Sequence, residues 1–311
     1  MNASPKSAPR ILLLGAGGQV GFELHRSLAP LGEVLPATRD GKLPGAGSAL
    51  VADLARPESL ADLLDAQQPD IIVNAAAYTA VDKAESESEQ ALAINARAPE
   101  ALARWCAKHG ALLVHYSTDY VFDGSATRPY REEDITAPLG IYGRSKLEGE
   151  CAIRDSGAVH LILRTAWVYA ARGHNFLRTM LRLGSERDQL RVVADQRGSP
   201  VPARWLAAAT AAALARGSRI GETARAASGT YHLAASGETS WHEFAMAIFA
   251  QAHAAGIIPR FPNVEAISTA EYPTPAKRPA YSRLDSEKFA HAFGLRLPDW
   301  RVGLGQTLGE L

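Results

Sequence analysis

Short apolar runs alternate with amphipathic stretches through the first half of the chain. Ile11–Leu14, Glu33–Ala37, Ala49–Ala52, Ile71–Asn74, Leu112–Ser117 and Val159–Arg164 read as strands, mostly apolar on successive positions, as strands buried on both faces are. Between them, Gly21–Ala29, Pro57–Gln67, Ser86–His109 and Ser145–Asp155 carry helical periodicity. Strands and helices in alternation predict a parallel sheet with helices on both faces. Right-handed crossovers place all strand C-termini on one edge, where ligands of such sheets bind. Gly15–Gly21, Asn74–Tyr78 and Ser117–Asp119 all follow strands and are expected to meet there.

After Val168 the pattern changes. Asn175–Leu183 reads as a helix, Asp195–Pro200 as a loop and Arg204–Ala215 as an alanine-rich helix returning to the sheet. Gly229–Leu233 reads as a short strand and Trp241–Ala254 as a helix, before a proline-rich tail. The expected fold class is α/β, a Rossmann-like doubly wound parallel sheet with a smaller C-terminal substrate lobe. Residues 1–168 would form the dinucleotide-binding domain, with the helix near 204–215 coming back to it. Residues 169–311 would form mainly the lobe.

The first strand runs straight into Gly15-Ala16-Gly17-Gly18-Gln19-Val20-Gly21. Glycine there permits a tight turn and lets backbone N–H groups approach a pyrophosphate at the helix N-terminus. The Gly15-x-x-Gly18-x-x-Gly21 spacing departs from G-x-G-x-x-G. Its place after a strand and before a helix is what marks it as a dinucleotide site rather than a plain turn. Further on, Ile141-Tyr142-Gly143-Arg144-Ser145-Lys146 puts Tyr142 and Lys146 four residues apart, on one face of a helix. Such a pair is ordinarily a surface pair. Preceded by Ser117-Thr118-Asp119 at a strand end, it reads as a proton donor whose phenol a nearby ammonium makes more acidic, with the Thr118 hydroxyl beside it. Thr118 alone could equally cap a turn. With a hydride source alongside, this is a site for reducing a carbonyl or oxidising an alcohol.

Composition bounds the remaining choices. The 311 residues exceed the usual size for one core, and Lys plus Arg equals Asp plus Glu at 33 each. Zero net charge leaves no electrostatic footprint for nucleic acid or an anionic membrane. The two cysteines, Cys106 and Cys151, have neither metal nor redox spacing and read as reduced thiols. Met1–Arg10 lacks the apolar core of a secretory signal, and Leu206–Ala215 is too short to span a bilayer, so the expected location is the cytoplasm.

On Tyr142-x-x-x-Lys146, Thr118 and the glycine loop, the chain resembles the extended short-chain dehydrogenase/reductases. Within them it is similar to the dTDP-4-dehydrorhamnose reductase family along nearly its whole length. The matching segments are Gly18–Gly21, Asn74–Glu85, Ser117–Gly124, Tyr142–Glu150, Arg164–Tyr169, and Arg278-Pro279 with Ser282-x-Leu284-Asp285. The resemblance implies hydride transfer from NAD(P)H to C4 of dTDP-4-dehydro-L-rhamnose, giving dTDP-L-rhamnose. It implies that Tyr142 protonates the C4 oxygen, Lys146 tunes the phenol and holds the nicotinamide ribose, and Thr118 positions the carbonyl. The coenzyme would lie on Gly15, Gly18, Gln19, Val20, Gly21, Arg39, Asp53, Leu54, Ala75, Ala76, Ala77 and Tyr78, besides Tyr142 and Lys146. The substrate would meet Thr118, Asp119, Trp167 and Arg278.

Several of these residues have plainer readings. Trp167 could be a core aromatic, Asp53 a cap for the helix from Pro57, and Arg278 a surface charge rather than a diphosphate clamp. Asp82, Glu85, Glu87 and Glu89 read as a solvated helix start. Thr38-Arg39-Asp40 follows the second strand, and Arg39 could pair with a 2′-phosphate while Asp40 points away. The expected coenzyme is therefore NADPH, with room for NADH. Some family members are thought to dimerise through magnesium held by carboxylates. Glu23 matches one such position, but Arg204 stands at another, and a guanidinium has no acceptor for a cation. No metal is expected, and the chain should be a monomer or weak homodimer. Two rivals remain. A nucleotide-sugar epimerase or dehydratase would regenerate its coenzyme, and a dehydratase would want a Glu where Tyr120 stands. A cofactor-binding regulatory subunit, like that of methionine adenosyltransferase, would lack catalysis.

Overall fold

Because the strand segments are apolar on both faces, they need cover on both sides, and the fold supplies it. In the computed structural model, which describes residues 8–45 and 47–311, six runs form β1 (Arg10–Leu14), β2 (Glu33–Thr38), β3 (Leu50–Val51), β4 (Ile71–Asn74), β5 (Leu112–Thr118) and β6 (His160–Thr165). Residues 1–7, most of the stretch read for a targeting signal, lie outside the described residues. A seventh strand, Gly229–His232, pairs beside β6, and the order across the sheet is seventh, β6, β5, β4, β1, β2, β3. Every pairing in it is parallel. Chain order reverses between β1 and β4, and at that point their C-terminal ends open a crevice.

Alternation along each strand divides the core in two. Ile11, Leu13, Ile71, Val73, Leu112 and Val114 face one side, against Leu24 and Leu28 of the Gln19–Leu28 helix and Leu206 and Leu214 of Ala203–Ala215. Leu12, Leu14, Ile72, Leu113 and Ile162 face the other, against Leu60, Leu64, Leu102, Cys106 and Ile153. The alanine-rich helix Ala203–Ala215 packs along Gln19–Leu28, where small side chains allow close approach. Among the described residues, no helix is long and apolar enough to cross a membrane.

The stretch expected as one helix over Ser86–His109 is three: Ser88–Leu92, a π-helical turn at Ala93–Arg97, and Ala98–His109. Pro99 has no N–H to offer the Asn95 carbonyl four residues earlier. The buried Asn95 side chain instead brackets the Tyr78 backbone, accepting from its N–H at 2.9 Å and donating to its C=O at 3.0 Å. The Tyr142 helix starts at Ile141 rather than Ser145, because Glu85 accepts the Ile141 N–H at 2.8 Å. Glu85 thus stays on the exposed face expected of it and also anchors the start of that helix. Asp53 caps no helix; its carboxylate accepts the Ala55 N–H at 3.1 Å and pairs with Arg56 at 3.3 Å.

Beyond β6, three small pairings build the remaining surface. Val168–Tyr169 runs parallel to Val201–Pro202, Arg197–Gly198 antiparallel to Thr239–Ser240, and Gln189–Val193 parallel to Asn263–Ile267. Asp195–Pro200, expected as a loop, therefore contains a strand. Gln189–Val193 and Asn263–Ile267 escape the hydrophobic pattern because they bury little besides Leu190, Val192 and Ile267.

Candidate active site

The glycine loop forms one wall of the crevice. Gly15 has φ +78°, and a Cβ there would lie 2.7 Å from the Ala76 nitrogen; at Gly21 it would lie 2.0 Å from the Gly15 oxygen. These two glycines let β1 turn sharply and bring the Ala75–Ala76 backbone against the loop. Gly18 precedes the helix and offers no side-chain cap, so the first-turn N–H groups of Gln19, Val20 and Gly21 remain directed at the crevice. Gln19 accepts a hydrogen bond from Asn175 Nδ2 at 2.8 Å. Arg39 is exposed just beyond β2, whereas Asp40 is turned to the Lys42 N–H and the Thr38 hydroxyl, each at 3.3 Å. A buried Leu54, Asp53 at its side and Ala75–Tyr78 complete the edge. A glycine turn packed backbone to backbone, a helix N-terminus and the exposed guanidinium of Arg39 suit a phosphorylated dinucleotide.

Opposite stands the helix Ile141–Asp155. Burial lifts the Tyr142 phenol to about 12, the Thr118 hydroxyl beside it opposes that rise, and the charge of Asp119 adds to it. Lys146 is buried, and its Nζ donates to the Tyr116 carbonyl at 2.7 Å and lies 3.1 Å from His115 Nε2. Burial brings Lys146 down to about 8, with Glu150 working against it. The expected acidification of Tyr142 by Lys146 is therefore absent here, since the amine, stripped of water, takes its partners from β5. Glu150 is itself fully buried and held ionised by Arg164 at 2.7 Å and by the Ser117 hydroxyl at 2.6 Å.

Thr118 ends β5, donates to Asp119 Oδ1 at 3.0 Å and accepts from the Tyr120 N–H at 3.2 Å. Burial raises Asp119 to about 6, against the pull of the Ser282 and Thr118 hydroxyls. Its second oxygen has no partner among the described residues. A Cβ on Gly198 would lie 2.6 Å from Trp167 and 2.9 Å from the Ser282 hydroxyl, so these two side chains meet at Gly198, while Ser282 neighbours Asp119 and Thr118 lies between Asp119 and Tyr142. Trp167 is half-buried, has φ +47° and stacks face to face on Trp241, centroids 3.5 Å apart. A bulky residue in that backbone region is held there by its surroundings. Arg278 pairs with Asp82 at 2.8 Å, and Tyr120, in front of it, meets the Tyr142 ring edge-on at 5.4 Å.

Sequence reasoning gave no role in the site to Asn95, His115, Trp241 or Ser282. A lone asparagine four residues before a proline inside a helical pattern, and a histidine inside an apolar strand, are the signals that mark the first two. Among the described residues, no group of three or more His, Cys, Asp or Glu is placed to hold a metal ion. Glu23 is buried, and Arg204 ion-pairs with Glu310.

Comparison with known proteins agrees with this geometry. Residues 9–311 match the family described as RmlD substrate binding domain. The chain is similar to a dTDP-4-dehydrorhamnose reductase of Burkholderia thailandensis, 49% identical over 304 residues, covering 97% of this chain and 99% of that one. It is 48% identical over 301 residues to the enzyme of that name from Escherichia coli K12, covering 97% of each. Among solved structures, the dTDP-4-dehydrorhamnose reductase of Bacillus anthracis in complex with NADP aligns with TM-score 0.85 and 34% identity, over 97% of this chain and 99% of that one.

Proposed function

This chain belongs to the dTDP-4-dehydrorhamnose reductase family, and from that premise we propose how its own residues carry the reaction. It is an NADPH-dependent oxidoreductase that reduces the C4 ketone of dTDP-4-dehydro-L-rhamnose to dTDP-L-rhamnose, a step of nucleotide-sugar synthesis. When bound, NADPH supplies the hydride.

Tyr142 serves as proton donor. A phenol lifted to about 12 stays protonated at neutral pH, in the form that can give a proton to an oxygen becoming an alkoxide. Thr118 gives its one hydroxyl hydrogen to Asp119 in the free protein and turns it to the place where charge develops when the ketone binds. Lys146 holds the nicotinamide ribose. Gly15, Gly18, Gln19, Val20 and Gly21 hold the pyrophosphate, and Ala75, Ala76, Ala77 and Tyr78 line its far side. Asp53 and Leu54 receive the adenine, and Arg39 pairs with the 2′-phosphate, which favours NADPH over NADH. On the sugar, Asp119 accepts a hydroxyl through its unpartnered oxygen and Trp167 packs on the ring; Arg278 meets the diphosphate. Residues 1–168 with the returning helix serve as the coenzyme domain, and residues 169–311 mainly as the substrate lobe. We place the enzyme in the cytoplasm, as a monomer or weak homodimer.

What supports the reading is the chain of neighbouring side chains Tyr142, Thr118, Asp119 and Ser282, with Trp167 beside Ser282 at Gly198, together with the glycine turn that ends β1. The test is a coupled assay from dTDP-glucose through the 4-keto-L-sugar, following absorbance loss of NADPH and NADH separately. Net consumption distinguishes reduction from an epimerase or dehydratase that regenerates its coenzyme. Tyr142→Phe is expected to lower kcat by roughly 10²–10⁴ with NADPH affinity unchanged. Unaltered turnover in that variant would remove Tyr142 as the donor.

A further inference from the structure

Three fully buried side chains form a line behind the crevice: Asn74 at the end of β4, His115 in β5 and Lys146 in the facing helix. The Ala76 N–H donates to Asn74 Oδ1 at 3.1 Å, which leaves the Asn74 amide nitrogen 3.1 Å from His115 Nδ1. On its other side, His115 Nε2 lies 3.1 Å from Lys146 Nζ. An amide nitrogen and an ammonium are both donors, but a neutral imidazole accepts at only one nitrogen. With the Asn74 oxygen held by Ala76, Nδ1 has to accept and the ring hydrogen sits on Nε2, pointing at Lys146. Lys146 then satisfies its surroundings as a neutral amine, accepting from Nε2–H and donating to the Tyr116 carbonyl.

From this donor and acceptor arithmetic we propose that Asn74 and His115 are positioning residues that set the charge of Lys146, by fixing which imidazole nitrogen carries the hydrogen. Protonating Lys146 requires Nε2 to become the acceptor and Nδ1 the donor. The Asn74 amide must then turn over and give up the Ala76 N–H. The pair gains one proton from solvent, the amine becomes an ammonium, the imidazole hydrogen changes nitrogen, and no electrons move. Burial, and the charge of Lys146 whenever it is protonated, hold His115 far below its usual range, so the ring itself stays neutral. Lys146, brought to about 8 by burial, titrates where this exchange matters. The other titratable groups around it are Glu150 and Tyr142 on its own helix, Asp119 beyond β5, and Arg164 of β6, which neutralises Glu150.

The inference rests on the reading that Lys146 serves the reduction, but its test needs neither substrate nor coenzyme. The full chain is labelled with 15N-histidine, and long-range proton–nitrogen correlation spectra identify the tautomer of His115. His115→Gln assigns its signal among the nine histidines. At roughly pH 9, above the Lys146 titration, His115 should carry hydrogen on Nε2. As the pH falls through the range of Lys146, the hydrogen should move to Nδ1 without the ring becoming charged. Asn74→Asp, which accepts at both oxygens, should hold the Nδ1–H form throughout. If that variant does not fold, the wild-type titration decides alone. A tautomer that ignores pH, an Nδ1–H ring at the alkaline end, or indifference to Asn74→Asp overturns the proposal. An inactive enzyme with the expected tautomers would count against the reduction and leave this network standing.

Discussion

Asp119 shows what the crevice demands of a single residue. It is 2% exposed, has one oxygen without a partner among the described residues, and is raised by burial to about 6. The folded carboxyl thus binds its proton more tightly than an unfolded one. Its contribution to stability is complete below the ordinary carboxylate range and disappears as pH rises through about 6. At neutral pH the ionised form is a cost on the order of 2–3 kcal/mol. Asp119→Asn removes that titration. It should be more stable than the wild type above about pH 7, with the difference vanishing by about pH 4, in denaturant midpoints measured at both ends. The same variant should bind the nucleotide sugar more weakly. A stability difference that does not change with pH would contradict the assignment.

At the scale of elements, the site depends on backbones that touch. A Cβ at Gly149 would lie 2.1 Å from the Asn95 carbonyl, so the π-helical turn and the Tyr142 helix meet without side chains between them. Asn95 then ties Tyr78, at the coenzyme edge, to Ser145 in that helix at 3.0 Å. π-Helical turns concentrate at functional sites for reasons of this kind. Gly198 plays a similar part on the substrate side, under Trp167 and Ser282. Gly198→Ala should push the indole off its stack with Trp241 and raise KM for the nucleotide sugar by about tenfold, at a stability cost of about 1–3 kcal/mol. NADPH affinity should not change, and a parallel loss of both would place Gly198 in the general packing instead. Here the hydrophobic pattern was a good guide to where elements lie and a poor one to where they break. Periodicity over Ser86–His109 reports one buried face, but the break comes from Asn95 reaching a backbone 17 residues away.

Across the whole molecule, polar ties join distant parts of the chain at the crevice. Asn175 holds Gln19 at the mouth of the glycine loop, and Asp82 receives Arg278 and the Ala276 N–H from the proline-rich tail, the latter at 3.2 Å. The Asp82–Arg278 pair retains exposures of 40% and 23%, so water screens it and its worth to stability is at most about 1 kcal/mol. Under the proposed function, its value lies in fixing the tail that carries Arg278. Asp82→Ala should leave the thermal midpoint within about 2–4 °C of the wild type, yet raise KM for the nucleotide sugar severalfold. A large drop in the midpoint with KM unchanged would make the pair structural. The seventh strand belongs to the same scale, since Gly229–His232 enters the sheet from far along the chain, and no local signal tells a short strand which neighbour it will take.

What the chain determined by itself is whatever short-range chemistry settles: strands buried on both faces, a glycine turn where β1 meets a helix, a tyrosine and lysine one helical turn apart. Those features were legible because each depends on residues within a few positions of one another. Only the tertiary structure decided that Lys146 faces His115 rather than Tyr142, that Glu85 anchors the catalytic helix, and that Trp167 lies on Trp241. Each of those is a contest for partners among buried groups brought together from separate elements. Its outcome depends on distances of a few ångströms that spacing along a sequence does not contain.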